Sequence, residues 1–129
     1  MRAILVDDDI ATIDFLTPFI ELKGLKYDAF TDAREALKVF SENPGAYDAA
    51  ILDMCMPSMM GTEAAKQMRE LNPKVEFLFF TGLNDRKNIE LAERYGAYLH
   101  KPPWPDDVFN ALGALIARIN EKAASTNSD

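Results

Sequence analysis

The chain has little of what several protein classes require. One cysteine, Cys55, stands among 129 residues, so an intrachain disulfide and a cysteine-built zinc site are both excluded. A lone free thiol fits a reducing compartment, and the expected location is cytoplasmic. Basic residues are scarce: 14 Lys and Arg face 21 Asp and Glu, for a net charge of -7. Binding nucleic acid needs a basic face, so direct nucleic acid binding by this domain is not expected. No apolar stretch approaches the ~20 residues that span a bilayer, so membrane insertion is not expected. The first apolar run, residues 3–6, stops at Asp7, Asp8 and Asp9, which is no signal peptide. The length suits one compact domain and is short for two.

What is present is an alternation of two patterns. Residues 3–6, 49–52, 75–80 and 97–100 are short apolar runs bounded by polar or turn residues, which reads as buried strands; residues 25–30 also have strand character. Between them lie segments of helical spacing. Residues 10–22 carry Ile13, Leu16 and Ile20 on one stripe and Phe15, Phe19 and Leu22 on a second, so this helix is expected to contact both a sheet and another helix. Pro18 falls inside it and is expected to require a kink or local compensation. Asp9 is expected to cap that helix. Asp32 caps the next, with Glu35 three residues on. Thr62 opens the third, and Asn84 or Asp85 caps the fourth. Pro105 with Asp106 and Asp107 opens the last, whose inner positions are Val108, Leu112, Leu115 and Ile119. Five strand-helix units in a row imply a doubly wound α/β fold with a parallel five-stranded sheet and helices on both faces. The expected domain spans residues 1–121, with residues 122–129 as a flexible C-terminal tail.

In a parallel sheet every strand ends on the same edge, and that edge collects Asp7, Asp8, Asp53, Thr81 and Lys101. Ligands bind at this edge in open α/β sheets. Carboxylates crowded together raise one another's pKa, and a proton or a cation relieves them. Oxygen-only ligation with phosphate oxygen suits Mg²⁺. A neighbouring Lys and Thr suit a phosphoryl group, so the pocket fits a carboxylate that becomes an acyl phosphate.

These residues resemble the receiver domain of two-component response regulators, of the chemotaxis-regulator type. The matching pieces are Val6-Asp7-Asp8, Ile51-Leu52-Asp53-Met54-Cys55-Met56-Pro57 with Gly61, Thr81-Gly82, and Tyr98-Leu99-His100-Lys101-Pro102. The resemblance implies a flavodoxin-like strand order, 2-1-3-4-5. It implies Asp53 as acceptor of a phosphoryl group from a histidine kinase or phosphotransfer protein. It implies Asp7, Asp8, Asp53 and the backbone carbonyl of Cys55 as Mg²⁺ ligands. Thr81 and Lys101 would bind the phosphoryl group, Lys101 pairing with Asp53 beforehand. Tyr98 would be an aromatic switch, and the Lys101-Pro102 peptide would be cis. The readout would be the face of the fourth helix, fifth strand and fifth helix, near Lys87, Glu90, Arg94, Tyr98 and Trp104, with a homodimer through that face as one use. The domain would be a regulatory phosphoacceptor rather than an enzyme.

Met60 and Pro103 depart from the pattern of many relatives, which carry Asp and an aromatic there. Cys55 and Leu83 flank the family's water approach and offer neither a good base nor a water-orienting amide, so slow self-dephosphorylation is expected. Other readings stay simpler. His100 alternates away from Lys101 and is structural or surface. Met54 and Met56 are core packing, with Met59 and Met60 partly exposed. Trp104 is expected to pack over the start of the last helix. Two other functions compete: a haloacid-dehalogenase-type Mg²⁺ phosphatase with Asp7 as nucleophile, and a receiver-like module that binds without being phosphorylated.

Overall fold

The structure is a computed structural model and describes residues 1–82 and 86–127. Five strands form one parallel sheet: β1 (Arg2–Val6), β2 (Lys26–Phe30), β3 (Ala49–Asp53), β4 (Glu76–Thr81) and β5 (Gly96–His100). Their order is β2-β1-β3-β4-β5, as the resemblance implies. The helices are α1 (Ile10–Leu22), α2 (Ala33–Glu42), α3 (Gly61–Leu71), α4 (Arg86–Glu93) and α5 (Pro105–Asn127), with a 3-10 turn at Pro44–Ala46. The expected caps of α4, Asn84 and Asp85, lie outside the described residues. The boundary expected at residue 121 falls inside α5, which continues to Asn127.

β3 and β4 are buried along their whole length, because helices cover both faces of the central strands. One face packs against α1 and α5: Leu5, Ile51, Leu78 and Phe80 meet Leu16, Ile20, Leu112 and Leu115. The other packs against α2, α3 and α4: Ile4, Leu52, Phe77 and Phe79 meet Phe40, Ala65, Met68 and Ala92. Met54 and Met56 belong to this second core. Asp9 and Asp32 cap α1 and α2 by accepting backbone N–H bonds from Ala11 and Arg34. Pro18 lies inside α1 without interrupting it.

One apolar expectation is corrected: Trp104 is 77% exposed rather than packed. As expected, α1 meets both the sheet, at β2, and another helix, α5. Its second stripe is only partly used: Phe19 packs against the core, whereas Phe15 and Leu22 are exposed. Helical spacing marks which residues share a face, but the area covered depends on the neighbouring helix.

The loop after β3 is drawn tight against it. Gly61 N–H donates to the Met54 carbonyl at 2.8 Å, and Cys55 pairs with Met60 in an isolated antiparallel bridge. A methyl group at Gly61 would press into the Asp53 carbonyl, whereas one at Gly45 meets open space. Gly61→Ala is therefore expected to cost about 1–3 kcal/mol, as overpacking does. Gly45→Ala should be close to neutral. Thermal unfolding followed by circular dichroism checks the pair, and equal Tm values would contradict this account.

Candidate functional site

The strand order makes β1 and β3 neighbours, with Val6 opposite Leu52. β1 is apolar from Ala3 to Val6 and β3 from Ala49 to Leu52, so the next polar side chain of each emerges at the carboxyl edge. Asp7 and Asp53 therefore leave the sheet side by side. Both are buried, at 1% and 6% exposure, while Asp8 is exposed. An oxygen from each of Asp7, Asp8 and Asp53 lies within 4.8 Å of the others.

Lys101 follows β5 and reaches across β4 to this seam. Its backbone N–H donates to the Thr81 carbonyl at 2.7 Å, which ties the ends of β4 and β5 together. Its Nζ lies 2.8 Å from Asp7 Oδ2 and 3.3 Å from Asp53 Oδ1. The closer partner is thus Asp7, not Asp53. Asp7 Oδ1 accepts the Asp9 N–H at 2.9 Å, so both oxygens of Asp7 are engaged. The residue that caps α1 also orients the carboxylate two positions before it. No motif at the sequence level pointed to that bond. The Lys101-Pro102 peptide is cis.

The electrostatics follow from this crowding. Burial, then the charge of Asp7, push the Asp53 carboxyl up to about 7; Lys101 opposes them, and a hydrogen bond with Asp8 adds to the rise. Burial works to lower the Lys101 pKa, but the bond to Asp7 and the charges of Asp53 and Asp7 outweigh it and raise it. One ammonium thus serves two buried carboxylates, and a third carboxylate stands at the rim. An all-oxygen donor set with surplus negative charge fits a hard divalent cation such as Mg²⁺.

Thr81 ends β4 and is buried at 2% exposure. Tyr98 on β5 is opposite Phe79, and both belong to the core beneath α2, α3 and α4. Thr81 is two residues beyond Phe79, so alternation sends it to the same sheet face as Tyr98. Tyr98 also lines a groove with Arg86, Ile89, Glu90 and Glu93 of α4. Cys55 is exposed at the rim, and His100 is exposed beyond the edge. Leu83 lies outside the described residues.

The raised Asp53 pKa has a consequence for stability. It lies above the ~3.9 of an unfolded aspartate, so the folded state holds the proton more tightly. Stability then falls as pH rises from about 4 to about 7, and the cost persists above 7. In the absence of divalent cations, Asp53→Asn is expected to raise Tm at pH 8 by roughly 3–6 °C, the shift that about 1 kcal/mol produces in a domain of this size. The gain should shrink towards zero at pH 5. A gain that is constant with pH would contradict this electrostatic origin.

Comparison with known proteins agrees with this geometry. Residues 3–113 match the family model of the response regulator receiver domain. Among curated relatives, the chain is 28% identical over 120 residues to Response regulator SaeR of Staphylococcus epidermidis, covering 92% of this chain and 51% of that protein. The chain thus spans about half the length of the curated relatives it matches. Among solved structures, it is similar to a CheY-like response regulator receiver domain protein from Methanospirillum hungatei, at 28% identity and a TM-score of 0.81, covering 96% of this chain and 97% of that one. A receiver domain protein from Clostridium thermocellum superposes with a TM-score of 0.82 at 26% identity, covering 95% and 97% of the two chains. With strand order, acidic seam and family match in agreement, the chain belongs to the response regulator receiver domain family of two-component systems.

Proposed function

We propose that Asp53 accepts a phosphoryl group from a phosphohistidine of a histidine kinase or phosphotransfer protein. The observation that carries this reading is the buried seam in which Asp53 meets Asp7, Asp8 and a single lysine. An Asp53 oxygen forms the new O–P bond as the P–N bond of the donor breaks, and the bonding pair leaves with the imidazole. Asp53 must be anionic to attack. Asp7, Asp8 and Asp53, with the backbone carbonyl of Cys55, would hold Mg²⁺, which supplies the positive charge that lets a phosphoryl oxygen lie beside carboxylates. Lys101 neutralises a phosphoryl oxygen directly, and the Thr81 hydroxyl donates to another.

Phosphorylation replaces the single charge of the Asp53 carboxylate with an acyl phosphate that carries about -1.5 to -2, where one lysine already serves two carboxylates. Lys101 and Thr81 are drawn to it, and Tyr98 shares the sheet face of Thr81 and borders α4. The result is a population shift of the face formed by α4, β5 and α5, with coupling of ~1–3 kcal/mol. That face then engages a partner or a second copy of the chain. The domain regulates by carrying the phosphoryl group and is not a classical enzyme. A phosphatase with Asp7 as nucleophile is disfavoured, because both Asp7 oxygens are already bonded to Lys101 and the Asp9 amide.

Incubation with acetyl phosphate and Mg²⁺ should label Asp53, as mapped by peptide mass spectrometry, and Asp53→Asn should abolish the label. Label on Asp7 would overturn the proposal. An Asp53→Asn variant with wild-type partner affinity, in a chain that takes no label, would favour a binding-only module. At low Mg²⁺ the labelling rate should climb with pH through about 7, as Asp53 loses its proton. Raising Mg²⁺ should move that midpoint to lower pH, and a flat profile between pH 5 and 8 would contradict the mechanism. Cys55 at the rim offers no water-orienting amide. The isolated phosphoprotein should therefore keep its label for minutes or longer at pH 7, and loss within seconds would refute that expectation.

A further inference from the structure

Arg69 takes no part in the chemistry above, yet its surroundings are unusual for a cation. On α3, its Nη2 donates to the carbonyls of Val75 and Tyr95, each at 3.2 Å. Its guanidinium carbon lies 5.1 Å from the Phe77 ring centroid, and its Nε is buried without a partner. No carboxylate among the described residues forms an ion pair with it. The charge is spent instead on backbone carbonyls and an aromatic face.

Tyr95 sits two residues beyond α4, and its N–H donates to the Ala92 carbonyl at 3.0 Å. Its ring meets Phe77 edge-on, with centroids 6.1 Å apart. Carbonyls at a helix C-terminus lack intrahelical donors and carry partial negative charge, so a guanidinium there is doubly favourable. The opposite end of α4 is different. Ala92 is the one buried residue of the helix, and Arg86, Lys87 and Glu90 face solvent. The Arg86–Glu90 pair, at 3.5 Å, is exposed on both sides, and such a pair holds a helix only weakly. α4 is thus gripped at its C-terminal end and has no buried side chain over its first six residues.

We propose that Arg69 is the positioning residue that fixes the C-terminal end of α4, so that phosphorylation makes α4 pivot about Tyr95 instead of shifting as a whole. This rests on the functional reading above, since the movement starts from the phosphoryl group at Asp53 and the end of β4. The pivot keeps Gly96 and the start of β5 in register while the groove between α4 and Tyr98 changes width. A signal that begins at Thr81 then appears as a change of angle on the partner face.

Amide hydrogen exchange of the whole chain, with and without acetyl phosphate and Mg²⁺, tests this. In the wild type, phosphorylation should change exchange at least fivefold in residues 86–90 and less than twofold in residues 93–96. In unphosphorylated Arg69→Met, exchange of residues 93–96 should accelerate at least tenfold, with β1 and β3 unchanged. On phosphorylation of that variant both ends of α4 should respond. Arg69→Lys keeps the charge and a nitrogen donor but loses the planar guanidinium over Phe77, so it should lie between, and it serves if the methionine variant does not fold. Equal responses at both ends of α4 in the wild type would overturn the proposal. So would unchanged protection of residues 93–96 in the variants, or a uniform loss of protection across the sheet. Failure of Asp53 to take label would sink the functional reading and the pivot with it, whereas the unphosphorylated comparison decides the anchor alone.

Discussion

Everything in this domain depends on two carboxylates, Asp7 and Asp53, being delivered into one buried seam with a single ammonium between them. Burying one charged group is costly unless it is paired, and here the pairing is incomplete. The remaining imbalance raises the affinity of Asp53 for a proton. The same imbalance makes the site receptive to a divalent cation. A fully neutralised seam would be more stable and would have less reason to bind anything. The apolar strands enforce the arrangement, because nowhere along β1 or β3 before the edge can a carboxylate sit without disrupting a core.

The two faces of the sheet divide the remaining work. On the α1 and α5 side the packing is continuous, and buried Glu76 at the start of β4 is held by Lys122 at 2.8 Å and Arg118 at 3.5 Å. That clamp seats the second half of α5, beyond the last residue matched by the family model. On the other side α2 and α3 are well buried, but α4 contributes only Ala92 to the core. Local stability follows burial, so α4 is the element most easily displaced on that side. It lies next to Tyr98, which shares a sheet face with Thr81. Sensitivity at the carboxylates and compliance at α4 are thus joined through the end of β4.

Much of this was legible in residue order. Short apolar runs ending in polar or turn residues marked four of the five strands, residues 25–30 showed strand character without such a run, and Asp9 and Asp32 announced the starts of α1 and α2. The polar strand ends offered Asp7, Asp8, Asp53, Thr81 and Lys101 as candidates, and the fold brings Asp7, Asp8, Asp53 and Lys101 together. Other features were not legible, for identifiable reasons. Trp104 was expected to be covered, but a large apolar residue in a loop is covered only if another element reaches it, and among the described residues it stays 77% exposed. Phe15 and Leu22 share a helical stripe with Phe19 yet remain exposed, because spacing marks a shared face and not how much of it a neighbour covers. Nothing in the sequence singled out Arg69, in a helical segment, or Glu76, within an apolar run read as a strand. Their partners, Tyr95, Arg118 and Lys122, lie 26 to 46 positions away, so no local pattern could pair them.

By itself the sequence determined the element types, their alternation, and which edge collects the polar side chains, because strand periodicity and capping are local properties. It also determined that these side chains are carboxylates, a hydroxyl and an amine, a set suited to oxygen ligation and to the phosphoryl transfer proposed above. That β1 lies beside β3 was implied by the resemblance and by no local pattern, and only the tertiary structure decided that Lys101 sits closer to Asp7 than to Asp53 and that Asp9 supplies the amide orienting Asp7. Those facts depend on strand order and on distances between segments far apart in the chain. They are settled when the two cores close together, not by any single stretch of residues.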